Sequence, residues 1–133
     1  MGLKTEVKLS FNNDFKGVLN AKNGELEIGL NEGQFAPYDL LLGSLGSCLY
    51  ATFLEVAKKK RIDFESTEMK IFGEKREEVP TVLKKVQIEF IVHNAQKEKG
   101  LIQAFDLAAK YCSIFTTISS VSKIDYKINF LYS

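Results

Sequence analysis

Two thiols are the only side chains of this chain whose type and setting suggest covalent chemistry. Cys48 lies in "GSLGSCLYAT" and Cys112 in "AAKYCSIF". No charged residue falls within six positions of Cys48 on either side. One reading of such a cysteine is a small apolar core residue, since unpaired cysteines are among the most buried residue types. The other is a reactive pair. A peroxide-reducing thiol must ionise, because the thiolate is the nucleophile, so it needs a cation or a donor to offset an apolar setting. It also needs a second thiol to capture the sulfenic acid before further oxidation, and Cys112 is the candidate. A metal site is not indicated. Zinc ligands come in close pairs, whereas these cysteines lie far apart and His93 alone could join them. His93, in "VHN", reads as a lone surface histidine.

Both thiols fall on expected helices. Pro37 suits a first helical turn, where its missing N–H costs nothing, and the pattern predicts a helix from about Pro37 to Lys60. Leu40, Leu41, Leu42, Leu45, Cys48, Leu49, Ala51, Phe53, Leu54 and Val56 cover most of its circumference, and Glu55 is its one charge between Asp39 and Lys58. A helix apolar all round must be buried all round, and so small a chain can hardly cover it; a partner subunit is therefore expected. The "KKKR" run at 58–61 complements the negative end of the helix dipole. Farther on, Leu101, Phe105, Ala108 and Cys112 share one helical face.

The remaining elements are strands. Val7, Leu9 and Phe11 alternate with polar residues, and Phe15 to Asn20 reads as a second strand. Asn23-Gly24 predicts a type I′ hairpin turn into a strand with Leu26, Ile28 and Leu30. After the first helix come Met69 and Ile71, ending near Gly73, then a solvated "EKREEVP" connection. Val86, Ile88, Phe90 and Val92 form the clearest alternation, and Ile124, Tyr126, Ile128, Phe130 and Tyr132 form the last. The order is βββ-α-ββ-α-β, an α+β fold.

The chain has 133 residues, the size of one domain, taken here as 1–133. Its 18 basic and 17 acidic side chains leave a net charge of +1, which gives no electrostatic reason to expect nucleic acid or an anionic membrane as partner. "MGLKTEVKLS" has no apolar core of a signal peptide, and the uncharged run from Leu40 to Leu54, fifteen residues, is short of a bilayer span. A cytoplasmic location is expected. There a cysteine pair is more often buried, metal-binding or redox-active than a structural disulfide.

Three stretches, in order and over nearly the whole chain, resemble the OsmC/Ohr family, in its OsmC-like branch. "APYDLLLGSLGSCLYAT" is similar to the family's S/N-P-x-E-x-L…A-x-x-C segment, "EKREEVPTVLKKVQIEFIV" to its charged turn and long strand, and "AFDLAAKYCSIFTTIS" to its A-x-x-x-Y-C-S segment. The resemblance implies a βββ-α-ββ-α-β protomer in an intertwined homodimer with buried central helices. It implies a thiol-dependent peroxidase acting in the response to oxidative stress. Cys48 attacks an organic hydroperoxide, Cys112 resolves the sulfenic acid into a disulfide, and a dithiol or lipoyl-type reductant restores the thiols. No metal, flavin or other cofactor is implied, and apolar surroundings favour lipid-like or aryl hydroperoxides over hydrogen peroxide.

The chain departs from that pattern in its charges. Characterised peroxidase members carry an arginine in the N-terminal β-region, paired to a glutamate ahead of the first cysteine. Here the arginines are Arg61 and Arg76, both after the first helix. Arg76 in "EKREE" and Lys16 in "FKG" are the candidate cations, and a lysine lacks the bidentate fork of a guanidinium. The carboxylate is Asp39, about 13 Å and about half a revolution from Cys48 on a straight helix. Its other role is to favour the positive end of the dipole. Tyr38 and Tyr111 are candidate pocket walls. Two alternatives follow from the missing arginine: a non-catalytic protein holding an apolar ligand in the dimer crevice, and a redox-sensing or disulfide-exchange protein.

Overall fold

The computed structural model describes residues 2–133. Its elements run β1 (Lys8–Phe11), β2 (Gly17–Ala21), β3 (Gly24–Ile28), α1 (Pro37–Lys59), β4 (Ser66–Lys75), β5 (Leu83–His93), α2 (Glu98–Tyr111), α3 (Ser113–Ser119) and β6 (Lys123–Leu131). This is the expected α+β order, with the second helical segment broken in two. The chain forms two compact units, one ending at Leu41 and the other spanning Leu42–Ser133, so the boundary falls inside α1.

The first unit is an antiparallel β1-β2-β3 meander. Its β2–β3 hairpin lies where the sequence predicts it, but the turn differs. Ala21 pairs with Gly24, so Lys22 and Asn23 form the loop and Gly24 opens β3. Positive φ among the described residues occurs at Gly33, Arg61 and Asn94, so this is not the type I′ turn that Asn23-Gly24 suggested. Two-residue pairing of the strands fixes the loop one position earlier than the glycine signal. At the start of α1 the Asp39 carboxylate (Oδ2) accepts the Ala36 N–H at 2.9 Å, the reach-back half of a capping box.

The second unit places helices on one face of a three-stranded sheet of order β4-β5-β6. β4 and β5 are antiparallel, whereas β6 returns parallel to β5 after α2 and α3. Strand alternation decides the faces. Val86, Phe90 and Val92 are completely buried, while Gln87 and Glu89 between them lie on the opposite face. Against this face α1 contributes Leu45, Leu49, Phe53 and Ala57, and α2 contributes Leu101, Phe105 and Ala108, all buried. Phe53 is the hub. Its ring lies 4.9 Å from Phe90, 5.6 Å from Phe64 and 6.1 Å from Phe105. The chain of rings continues from Phe105 to Tyr126 and from Tyr126 to Phe115 on α3. Gly46 lets α1 approach β4 closely, since a β-carbon there would lie 2.9 Å from Ile71 Cδ1.

α1 spans 23 residues, longer than its uncharged run, and by length and composition alone it would reach across a bilayer. The packing of Leu45, Leu49, Phe53 and Ala57 marks it as a core helix instead. Within the chain it is not buried all round, as expected of it from the sequence: 28% of its most apolar stretch is buried. It ends in a Schellman motif. Arg61 N–H donates to Lys58 O at 3.0 Å and Ile62 N–H to Ala57 O at 3.1 Å, with Arg61 at φ 60°.

Candidate functional site

α1 carries Cys48 on a half-buried flank, one residue before the buried Leu49. Cys112 is buried and lies between two helices rather than on one. Its backbone is extended (φ −70°, ψ 118°), which ends α2 and starts α3. The Cys112 N–H closes α2 on Ala108 O at 2.8 Å, and the Cys112 carbonyl accepts the Thr116 N–H at 3.0 Å to open α3. The residue is therefore C-cap and N-cap at once. A helix N-terminus leaves its first N–H groups without intrahelical acceptors. Here sulfur takes one of them. The Phe115 N–H donates to Cys112 Sγ at 3.4 Å, the bond an N-cap side chain makes to the third helical residue.

Cys48 on α1 and Cys112 at the break between α2 and α3 are neighbours. The two are free thiols, and each acts on the ionisation of the other. Burial pushes the Cys48 thiol up, but four donors outweigh it: the Cys112 S–H, the Ile114 N–H, and the hydroxyl and N–H of Ser113. Cys48 is thereby held below the ordinary thiol range. Cys112 goes the other way. Burial raises it most, and its donation to Cys48 and repulsion from the Cys48 thiolate add to that, against the Phe115 and Ile114 N–H groups. The two thiols are thus shifted in opposite directions, Cys48 toward ionisation and Cys112 away from it.

The other sequence candidates have local structural duties. Asp39 caps α1, as described. Arg76 Nε donates to the carbonyls of Pro80 at 2.9 Å and Glu78 at 3.3 Å, holding the turn between β4 and β5. Lys16 precedes β2, and its carbonyl accepts the Asn12 N–H. Tyr111 is exposed, with the Lys110 ammonium 5.5 Å from its ring centre, and Tyr38 is half-buried in the first turn of α1. His93 pairs with Glu68 at 2.6 Å. Among the described residues no three His, Cys, Asp or Glu side chains converge on a metal position.

Sequence reasoning missed the groups that act on Cys48. It looked for a cation and discounted the dipole of α1, in which Cys48 lies about three turns from the start. The donors belong to α3 instead. The Ser in "YCS" was the visible signal, since a serine following a helix break supplies both an N–H and a hydroxyl.

Comparison with known proteins agrees with this architecture. The model of the OsmC-like protein family matches residues 29–127. Protein YhfA of Escherichia coli K12 is 29% identical over 93 residues, covering 68% of this chain and 69% of YhfA. The crystal structure of an OsmC-like protein from Mycoplasma pneumoniae superposes with a TM-score of 0.87 at 19% identity, over 98% of this chain and 99% of that one. The organic hydroperoxide resistance protein OhrB of Bacillus subtilis shares the fold at a TM-score of 0.64 and 15% identity, over 92% and 97% of the two chains. The paired thiols, the element order and the family match over residues 29–127 lead to one conclusion: the chain belongs to the OsmC-like protein family.

Proposed function

We propose that this protein is a thiol-dependent peroxidase for organic hydroperoxides. What carries the reading is two neighbouring free thiols in the matching family segments, Cys48 shifted toward ionisation and Cys112 away from it. The hydroperoxide-resistance role in the name of the related OhrB supports the substrate class. The Cys48 thiolate attacks the outer oxygen of R–O–OH. The O–O bond breaks, Cys48 becomes a sulfenic acid, and the alkoxide leaves and takes a proton as the alcohol. Cys112 sulfur then attacks Cys48 sulfur, and the departing hydroxide takes the Cys112 proton as water. An external dithiol, lipoyl-type in this reading, reduces the disulfide by exchange and becomes oxidised itself. Asp39 and Arg76 enter as positioning residues, the first fixing the start of the helix that bears Cys48, the second the turn between β4 and β5.

The working unit in this reading is a cytoplasmic homodimer. Its support is the uncovered apolar surface of one protomer: the solvent side of α1, including Leu41, and Leu9, Phe11 and Phe35 before it. A cleft of about 270 Å³ along α1 and β4, walled by Leu42, Gly46, Tyr50, Met69 and Ile71, adds to that surface. Light scattering at micromolar concentration should give about twice the 15.0 kDa protomer mass; the protomer mass itself would refute the dimer.

The peroxidase reading is tested on fully reduced protein. One equivalent of cumene hydroperoxide should yield a Cys48–Cys112 disulfide, mapped by peptide mass spectrometry, faster than hydrogen peroxide does. Cys48→Ser should abolish peroxide consumption with a dithiol. Thiols that stay reduced, or full turnover by Cys48→Ser, would refute it.

A further inference from the structure

We propose that α3 is a redox-released lid: the Cys112 sulfur caps it while that sulfur is a thiol, and its first turn loosens when the sulfur is joined to Cys48, opening the disulfide to its dithiol reductant. The proposal rests on the peroxidase reading above. It starts from the place of one atom. Cys112 is the N-cap of α3, with an extended backbone, and its Sγ accepts the Phe115 N–H at 3.4 Å. That bond is normally made by the side-chain oxygen of a serine, threonine, asparagine or aspartate. Here the atom that caps the helix is also the atom that changes its bonding in every turnover.

Little else holds α3. It has seven residues, and Ile118 is its buried side chain. Helices this short do not persist in water by themselves. Ser113, Thr116, Thr117 and Ser119 are exposed, and serine and threonine are weak helix formers. The Thr117 hydroxyl donates back to Ser113 O at 2.9 Å and the Ser119 hydroxyl to Thr116 O at 3.1 Å, bonds that slightly weaken and bend a helix. Beyond its C-terminal end the chain is fixed, since the buried Ser122 donates its hydroxyl to Leu83 O at 2.6 Å. The N-terminal end depends on the sulfur.

The elements on the other side of the pair are rigid. α1 is held by Leu45, Leu49, Phe53 and Ala57 in the core. α2 is held by Leu101, Phe105 and Ala108, and Asp106 ties it to Tyr126 of β6 at 2.7 Å. Drawing the Cys112 sulfur from contact into a covalent bond with Cys48 displaces something, and the displacement falls on the weakest neighbour, the first turn of α3. The sulfur swings toward α1 and away from the Phe115 N–H.

The consequence is access. Cys112 is 1% exposed in the reduced protein. Thiol–disulfide exchange requires the incoming thiolate to reach a sulfur, and the thiol of lower pKa leaves faster. Attack on Cys112 therefore forms a mixed disulfide there and expels Cys48 as the thiolate. The second thiol of the reductant then displaces Cys112, takes over the disulfide, and leaves the Cys112 thiol to cap α3 again. The route to the buried sulfur is open only while there is a disulfide to reduce.

Hydrogen–deuterium exchange mass spectrometry on the whole protein tests this by comparing residues 113–119 with residues 98–111. Diamide, which takes up the two electrons and two protons of a thiol pair, prepares the disulfide form without peroxide, and peptide mapping confirms the bond. Residues 113–119 should exchange about fivefold faster in the disulfide form than in the reduced form, as loss of an N-cap implies, with residues 98–111 unchanged. Reduced Cys112→Ala should show the same acceleration, and Cys112→Ser, whose oxygen restores the cap, should remove it. Thr116→Ala, a better helix former at an exposed position, should slow reduction of the disulfide by dithiothreitol about twofold. Residues 113–119 that stay equally protected in the disulfide form, or in Cys112→Ala, would overturn the capping role. A Thr116→Ala disulfide reduced as fast as the wild type would overturn the lid. With the Cys48–Cys112 bond mapped, either failure leaves the peroxidase reading intact, whereas thiols that diamide cannot join would overturn both.

Discussion

Replacing Phe53 with alanine tests the packing that holds the two thiol-bearing elements together. Phe53 is completely buried, and its ring touches those of Phe90, Phe64, Phe105 and Tyr50. Phe90 and Phe105 are also completely buried and fixed on a central strand and a helix, so neither can move in to fill the gap. Truncation of a core phenylalanine costs about 3–5 kcal/mol, more where the cavity stays open. The edge-on contact with Phe90, at 4.9 Å, places this site in the upper half, at about 4 kcal/mol. Against a domain stability of about 5–15 kcal/mol this is a large fraction. Phe53→Leu, which fills most of the space, should lose only about 1–1.5 kcal/mol. Urea unfolding followed by circular dichroism at 222 nm, at one fixed protein concentration because assembly contributes to stability, reads the difference. A loss below about 1.5 kcal/mol in Phe53→Ala, or equal losses in the two variants, would refute the hub.

Two further substitutions probe the second unit. Tyr126 donates to the Asp106 carboxylate at 2.7 Å, and burial together with that carboxylate pushes its phenol up to about 12. The unfolded chain ionises this tyrosine near pH 10, so the folded state keeps the proton longer; the stability it contributes is complete below about pH 10 and is lost as pH rises through about 12. Tyr126→Phe should therefore leave the 295 nm tyrosinate signal gained between pH 9 and 11 nearly unchanged, and loss of one tyrosine's share would contradict the assignment. Arg61 holds the left-handed position of the Schellman motif, which glycine occupies without strain. Arg61→Gly should raise unfolding stability by about 1 kcal/mol, and a destabilised variant would mean that the side chain has another duty.

What the sequence made legible follows from where one physical demand acted alone. β5 was readable because one face is wholly buried, so Val86, Ile88, Phe90 and Val92 had to alternate. The start of α1 was readable because Pro37 and Asp39 satisfy local end-group needs. The expected core face of α2, Leu101, Phe105, Ala108 and Cys112, is the buried one. The break at Cys112 was not readable. Neither glycine nor proline marks it, and the apolar spacing runs through it without a fault. The turn at Lys22-Asn23 was displaced by one residue because strand register outweighed the preference of Asn-Gly. The groups that favour the Cys48 thiolate are the Cys112 side chain first, then Ile114 and Ser113 at the start of α3. They lie far from Cys48 in sequence and carry no charge, so a search for a nearby cation could not find them.

The parallel return of β6 has a consequence for the order in which the chain acquires its structure. β4 and β5 are neighbours in sequence and can zip from their short connection as soon as both exist. β6 cannot join until the crossover through α2 and α3 has been laid across the sheet, and the entropy of closing that long loop is spent before any β5–β6 hydrogen bond forms. Cys112 lies within that crossover, whereas Cys48 arrives with α1, ahead of both hairpin strands. On the ribosome Cys48 therefore passes through a period without Cys112 beside it. In that interval it is an ordinary thiol, and it acquires its special environment only when the last-closing part of the topology docks.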